Sequence, residues 1–593
     1  MKPAFRAAAA AVLILAPLLR AAAQAGGVDE YASRAQEQIA GRNFEEAVRT
    51  LGEAKKKFPL SPQLNIILAD LYYEKELYTL ALEEYRAAEG KGNREDFYTL
   101  DQIARCYGKL NREADSIDYL TRILDLYPDS VDSVNDLAWM YFKTHQLEKG
   151  EALVLDAKKR FGPLKDLSMT LGTIYSGMND YEKARQQYMQ SIEEALRGGD
   201  RYFSSIAYYN LSLLEHNYYR FNSALRYTDE SIDMADRAPG HLARGELFQS
   251  RMDYRMASEE YQKAFAKDTT PLTKVNMAIL LREFGFLDLA RRYAEDVMGS
   301  KDLAWMLYYG TDLTRHYKDI HEILADAYEG MARVEAMKPT AGFFPRVAAL
   351  WNSVKYRAVS VWHRLKFRLL SVSVGKSYLA ENSLSDAWWE FFKANEAYPE
   401  VALKYLDLAR AEETAYNPHT AHYYKQEEGK IRRSAALLEQ SIAGFDPFWE
   451  KEAIADSLRH LAPLLSGPKN AVRRREVLAR LYDINPGALR QEGLGLPLAL
   501  QWQAGVGGRE KALIVRYLKR AGCEIAETGK EADFPFLLSI RGGASGGFSF
   551  SLTETATGRS RAAGGTEPGE GGTGKTACAR LVQEFLDETF TVR

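Results

Sequence analysis

Residues 165–199 read KDLSMTLGTIYSGMNDYEKARQQYMQSIEEALRGG, and the order of small and aromatic residues in them decides the fold. Leu171, Gly172 and Tyr175 belong to one helical run, and Ala184, Tyr188 and Ser191 to the next. Leu68, Ala69, Tyr72, Ala81, Tyr85 and Ala88 keep the same spacing earlier in the chain. The small residue recurs as Ala47, Ala81, Ser116, Gly150, Ala184, Ala224, Ala257 and Ala290, at intervals of 34, 35, 34, 34, 40, 33 and 33 residues. Such a period marks stacked helical hairpins. Ala47, Leu51 and Ala54 stand at i, i+4 and i+7 on one face, where a small side chain lets the partner helix approach closely. One hairpin cannot bury its apolar stripe alone, so neighbours stack and leave a concave inner surface.

This pattern resembles the tetratricopeptide repeat (TPR) family, with a Leu/Gly/Tyr trio on the first helix, an Ala/aromatic/Ala trio on the second, and a following proline, here Pro59 and Pro128. The resemblance implies a mainly α chain, a TPR-type α-solenoid that binds protein through its concave face and is no enzyme. Chaperone-binding relatives clamp a terminal carboxylate with Lys and Asn on the first helix. The corresponding positions here are Ala32 and Gln36, then Ile66 and Asp70, so that clamp is not expected. Tyr73, Trp139, Phe142, Tyr209 and His216 map instead toward the inner face and are the candidate partner-binding groove.

The chain has 593 residues, more than one hydrophobic core supports, and a net charge of only −3, which gives no electrostatic case for nucleic acid. Lys2 and Arg6, the apolar stretch Ala7 to Leu19 and the small residues Ala21 to Ala25 read as a signal peptide over 1–25. Export to the periplasm or cell envelope is the expectation. Cys106, Cys523 and Cys578 form no disulfide framework, although Cys523 and Cys578 share the C-terminal segment, where a pair between them is one option.

About eight repeat units fill 28–300. Gly375, Tyr378, Ala387, Phe391, Ala394 and Pro399 repeat the pattern once more, within a helical stretch over 371–492. Between them, 301–370 reads as irregular helix. Residues 336–380 contain no Asp or Glu, and Val347, Trp351, Val354, Ala358, Val361, Leu365 and Leu369 form a stripe at helical spacing. The expectation is that this stripe packs on the adjacent hairpins. The other reading takes the helix, with Arg357, Arg364 and Arg368, to an anionic membrane surface or an acidic partner. Beyond Pro486-Gly487 the period changes, and 496–593 reads as a small α/β domain, with strands at Leu496–Trp502, Cys523–Glu527, Phe536–Arg541 and Phe548–Thr553, and helices at Lys511–Ala521 and Lys575–Thr589. Phe590–Val592 is read as a further edge strand. In element order alone this end resembles the small α/β domains of bacterial envelope lipoproteins that activate peptidoglycan synthases.

Gly569 to Thr576 matches the phosphate-binding loop pattern, in which Gly569 and Gly574 would shape the loop, Lys575 would reach phosphates and Thr576 would hold Mg²⁺. The context disagrees: the preceding strand is read to end near Thr553, and only 17 residues follow Thr576. Lys575 is therefore expected to be a solvated first-turn residue, with no cofactor. His419 and His422 lack an evident third ligand, so no metal is expected. The expected function is an exported scaffold for protein–protein interaction. The alternatives are a membrane-surface regulator of envelope assembly or peptidoglycan synthesis, and a nucleotide-binding enzyme using 569–576.

Overall fold

The computed structural model describes residues 27–593 except 76, 111, 268–270, 285, 300–310, 341–342, 381–389, 391–398, 528–529, 544–546, 567–573 and 591–593. The expected signal peptide and most of the ninth unit, with Ala387, Phe391 and Ala394, lie outside the described residues. The described chain forms two compact units, one of the residues up to Glu194 with Thr311 and Asp312, the other of the remaining residues from Ala195 on.

The first unit is built of hairpins: α1 (27–40) with α2 (Phe44–Lys57), α3 (Pro62–Glu74) with α4 (Tyr78–Gly90), α5 (Phe97–Lys109) with α6 (Glu113–Leu126), α7 (Val131–Lys143) with α8 (Leu147–Phe161), and α9 (Lys165–Gly177) with most of α10 (Tyr181–Arg197). The second continues with α11 (Arg201–Asn217) and α12 (Phe221–Met234), α13 (Ala238–Ser250) and α14 (Tyr254–Lys267), α15 (Pro271–Glu283) and α16 (Leu287–Gly299). All eight small residues from Ala47 to Ala290 are buried where the two helices of a hairpin meet. The glycines before them have a steric cause: a Cβ on Gly172 would stand 2.8 Å from the Tyr188 ring, and one on Gly245 would stand 2.5 Å from the Tyr261 ring. Five residues before the small residue the turn enters the left-handed region, at Arg42, His145, Asn179, Tyr219 and Met252, with φ of 54–60°. Asp96, Ser130 and Asp200 start α5, α7 and α11 by accepting a backbone N–H through their side chains.

The second unit then runs through α17 (Thr311–Met337), α18 (Phe343–Ala380), α19 (Pro399–Tyr416), α20 (Thr420–Arg432), α21 (Ala435–Gly444), α22 (Lys451–Leu464), α23 (Ala471–Ile484) and α24 (Pro486–Gln491). Helix α18 crosses the expected boundary at 370 without a break. It also corrects the expected packing of its stripe: Val347, Trp351, Val354, Val361, Leu365 and Leu369 point to solvent. The buried seam is made of Ala349, Ser353, Ser360, His363 and Phe367, with Ser353 and Ser360 donating to the carbonyls of Ala332 and Ala325 on α17, each over 2.8 Å.

The chain closes on a five-stranded sheet of order β2-β1-β3-β4-β5, from β1 (Pro497–Trp502), β2 (Glu524–Ile525), β3 (Phe536–Gly542), β4 (Phe548–Glu554) and β5 (Ser560–Thr566). Strand β1 runs parallel to β2 and β3, whereas β3, β4 and β5 are antiparallel. Helices α25 (Gly508–Arg520) and α26 (Gly574–Thr589) pack together, and α26 lies on β4 and β5. One apolar core runs from Leu438 on α21 through Leu461 and Leu481 to Phe536, Phe550 and Phe585, so the sheet and the helices before it fold as one body. Strand β5 is an addition to the sequence reading, and the strand expected at Phe590–Val592 falls largely outside the described residues. Cys523 and Cys578 are both free, buried thiols rather than a pair.

Candidate functional site

Counting back from the small residue places the inner-face candidates in register. Asp70, Arg105 and Trp139 stand eleven positions before Ala81, Ser116 and Gly150, and Tyr73 and Phe142 stand eight before. All lie on first helices, which brings them onto one strip across α3, α5 and α7. Asp70 accepts from the hydroxyls of Tyr85 at 2.5 Å and Tyr98 at 2.7 Å. Burial, aided by Asp70, raises the Tyr98 phenol to about 12. Arg105 pairs with Asp101 at 2.7 Å and reaches Asp136 at 3.5 Å. Burial raises both carboxyls. Tyr73, its phenol raised by burial, lies near this trio and meets Tyr78 edge-on at 5.2 Å. Trp139 stacks on Phe142 at 5.3 Å and keeps 45% of its surface exposed, which is high for an indole.

The second unit treats the same register differently. His216, Gln249 and Arg282 stand eight positions before Ala224, Ala257 and Ala290. His216 is largely enclosed, and burial lowers its basicity; its ring lies 5.7 Å from Phe221, which stacks on Trp449 at 5.5 Å. Gln249 donates to Glu452 on α22 at 3.0 Å, and Arg282 pairs with Asp326 on α17 at 3.2 Å. Tyr209 sits near Glu246, whose carboxyl burial raises to about 7. Tyr219, at the α11–α12 turn, packs on His419 at 4.3 Å and Tyr423 at 5.3 Å. Among the described residues, later helices thus meet Gln249 and Arg282 of α13 and α15, whereas Tyr73 and Phe142 in the same register are half-buried within the array. Sequence spacing does not distinguish the two cases, because the covering residues lie well outside the repeat concerned, 44 positions downstream for Arg282 and 203 for Gln249.

The other candidates are placed as follows. Arg364 pairs with Asp326 at 2.8 Å and Arg357 approaches Glu329 at 3.8 Å, both on α17, while Arg368 is half-buried. His419 bonds Glu450 at 2.9 Å. Among the described residues no group of three or more His, Cys, Asp or Glu side chains is arranged to hold a metal ion. Gly569 lies outside the described residues; Gly574 opens α26, Lys575 is exposed and Thr576 half-buried. The strand leading there is β5, the antiparallel edge of its sheet.

A family model for the tetratricopeptide repeat matches residues 98–130, which hold α5 and α6. The α5–α6 hairpin is of the tetratricopeptide kind, and the hairpins around it repeat an arrangement like that of tetratricopeptide solenoids. A tetratricopeptide repeat protein from Parabacteroides merdae is similar over 43% of this chain and 99% of its own, at 14% identity and a TM-score of 0.39. YrrB, described as a TPR protein with an unusual peptide-binding site, is similar over 28% of this chain and 84% of its own, at 16% identity and a TM-score of 0.25. PilW, described as a type IV pilus biogenesis factor, is similar over 40% of this chain and 92% of its own, at 14% identity and a TM-score of 0.26. No curated protein matches the chain. Tetratricopeptide repeats generally mediate protein–protein interaction, and the strip lies on α3, α5 and α7, the first helices of three successive hairpins.

Proposed function

We propose that the chain is an exported scaffold that docks a segment of another protein along the Asp70, Tyr73, Arg105, Trp139 and Phe142 strip. One observation carries the reading: Leu213, Glu246 and Ile279, which share Trp139's register, are half-buried, and the neighbouring Gln249 and Arg282 are met by later helices, whereas Trp139 remains 45% exposed. The covered half of the array is an internal example of what the register accepts, an aromatic contact flanked by a polar one. Trp139 on Phe142 supplies an aromatic anchor, the kind of residue that dominates docking energetics. The carboxylates of Asp70, Asp101 and Asp136 favour a partner segment that carries Lys or Arg beside its apolar residue. The signal-like start at 1–25 supports a periplasmic or envelope location.

The test is affinity capture of envelope proteins on the full mature chain and on its Trp139→Ala and Asp136→Arg variants. Partners captured by the parent and lost from both variants, with unchanged melting, support the scaffold reading. A capture profile that both variants retain overturns the strip. Sequencing the mature terminus tests export, which predicts a start near Gln24 to Gly26; an intact Met1 terminus in the cytosolic fraction contradicts it.

A further inference from the structure

Helix α18 faces the wrong way for an ordinary surface helix. Its buried seam runs along Ala349, Ser353, Ser360, His363 and Phe367, small or polar side chains but for the last, with His363 against His321 of α17 at 2.8 Å between ring nitrogens. Both of its tryptophans and two of its leucines are outside: Leu350 is 63% exposed, Trp351 70%, Trp362 51% and Leu365 58%. At about 100° per residue, Phe343 to Leu369 place these outward groups in one arc of about 120°, continuous over roughly 40 Å. An exposed apolar surface of that extent marks a contact with something outside the chain.

The charges identify the contact. Arg346, Arg357 and Arg364 border one edge of the arc, Lys355 and Lys366 the other, and residues 336–380 contain no Asp or Glu. Arg357 and Arg364 turn back to Glu329 and Asp326, while Lys355 and Lys366 stay exposed, Lys366 beside the Trp362 ring at 5.8 Å. Arg346 also lies close to Arg520 of α25, whose basicity is lowered by burial and then by Arg346. A second copy of the helix would set like charges against one another. No described helix is long and apolar enough to cross a membrane. What remains is a surface that is apolar inside, anionic at its boundary, and suited to indole rings at that boundary.

We propose that α18 lies flat on an anionic lipid surface, with Leu350, Trp351, Trp362 and Leu365 inserted among acyl chains and Arg346, Lys355 and Lys366 at the headgroups. The proposal is independent of the docking strip, since it involves other helices. The proposal also revises which residues make the contact: the outward apolar arc and the lysines, rather than Arg357 and Arg364.

The test is co-sedimentation of the full mature chain with vesicles of phosphatidylcholine containing about 30% phosphatidylglycerol, against phosphatidylcholine alone. Binding to the anionic vesicles that weakens with added NaCl is expected. The double variant Leu350→Glu/Leu365→Glu should bind at least about tenfold more weakly with unchanged melting, because both sites are solvent-facing. Lys355→Glu/Lys366→Glu should weaken binding to the anionic vesicles and leave melting alone. A chain that ignores anionic vesicles at low salt overturns the proposal, as does binding that Leu350→Glu/Leu365→Glu leaves intact. A dimer in sedimentation equilibrium that this double variant dissociates, without vesicle binding by the parent, would assign the arc to a second copy and equally overturn it.

Discussion

Asn485 donates its side-chain amide to the carbonyl of Glu283 over 2.7 Å, although 202 residues separate the two. Glu283 is the last residue of α15, so the bond satisfies a carbonyl that the helix leaves without an internal partner. The same amide accepts the N–H of Ala488 at 3.2 Å, and a Cβ on nearby Gly487 would stand 2.6 Å from the carbonyl oxygen of Phe284. Asn417 repeats the arrangement with the carbonyl of Asn217, at the end of α11. Two asparagines thereby tie the later helices to two first helices of the array.

Asn485→Ala should lower stability by about 1–3 kcal/mol, since the Glu283 carbonyl loses its donor, while the Ala488 N–H keeps only its 3.3 Å bond to the backbone carbonyl of residue 485. Asn485→Asp should be no better, because a carboxylate cannot donate to Glu283. Chemical denaturation followed by circular dichroism reads both. Parent-like midpoints for the two variants would mean that this tie contributes nothing.

Ala81 and Ala184 are completely enclosed between the helices of their hairpins. Leucine at either position should overpack the contact and cost about 1–3 kcal/mol. Thermal melts of Ala81→Leu and Ala184→Leu check it, and unaltered melting of both would contradict the assigned hairpin contact.

Gly245→Ala has two opposed effects. Helix propensity alone predicts a gain of about 1 kcal/mol. The new Cβ, however, would stand 2.5 Å from the ring of Tyr261, which is itself enclosed and cannot swing away. Net destabilisation of about 1–3 kcal/mol is expected. A higher melting temperature in the variant would show that the ring yields.

Burial raises the Glu246 carboxyl from 4.5 to about 7. The folded chain therefore holds this proton more tightly than the unfolded chain does. Its stabilising contribution is complete below the unfolded value near 4.5 and is lost as pH rises through about 7. Glu246→Gln should remove that loss and gain on the order of 2 kcal/mol relative to the parent at about pH 8. Melting across this pH range tests it, and identical slopes for parent and variant would refute the shift.

His145 holds a left-handed backbone, φ 54°, at an exposed turn. His145→Gly should stabilise the α7–α8 hairpin by about 0.5–1 kcal/mol, because glycine adopts that conformation without the Cβ penalty. A fall in melting temperature would point to a role for the imidazole.

The hairpins were legible because their signal is local: Ala184 and Tyr188 report on a helix that begins a few residues earlier. Strand β5 was not legible, since Ala562, Ala563, Gly564 and Gly565 carry no strand preference of their own. It is specified by pairing with β4 and by Glu584 of α26, which accepts the N–H of Gly565 at 2.8 Å. For α18, periodicity established that Trp351 and Leu365 share a face, but the direction of that face depends on Ser353 and Ser360 bonding to α17. Likewise Tyr73 and Gln249 hold one register position, and the sequence around them does not announce that the second bonds Glu452, 203 residues later.

The long reach of these ties has a consequence for synthesis. Contacts in the first unit join neighbouring hairpins, whereas Asn217 waits for Asn417, 200 residues later. At about 5–20 residues per second, α11 emerges roughly 10–40 s before its cap exists. For that interval the nascent middle of the chain offers an uncapped α11 and the bare rings of Tyr219 and Phe221. A product that stops short of Asn417 would keep that end of α11 without its cap for its whole lifetime.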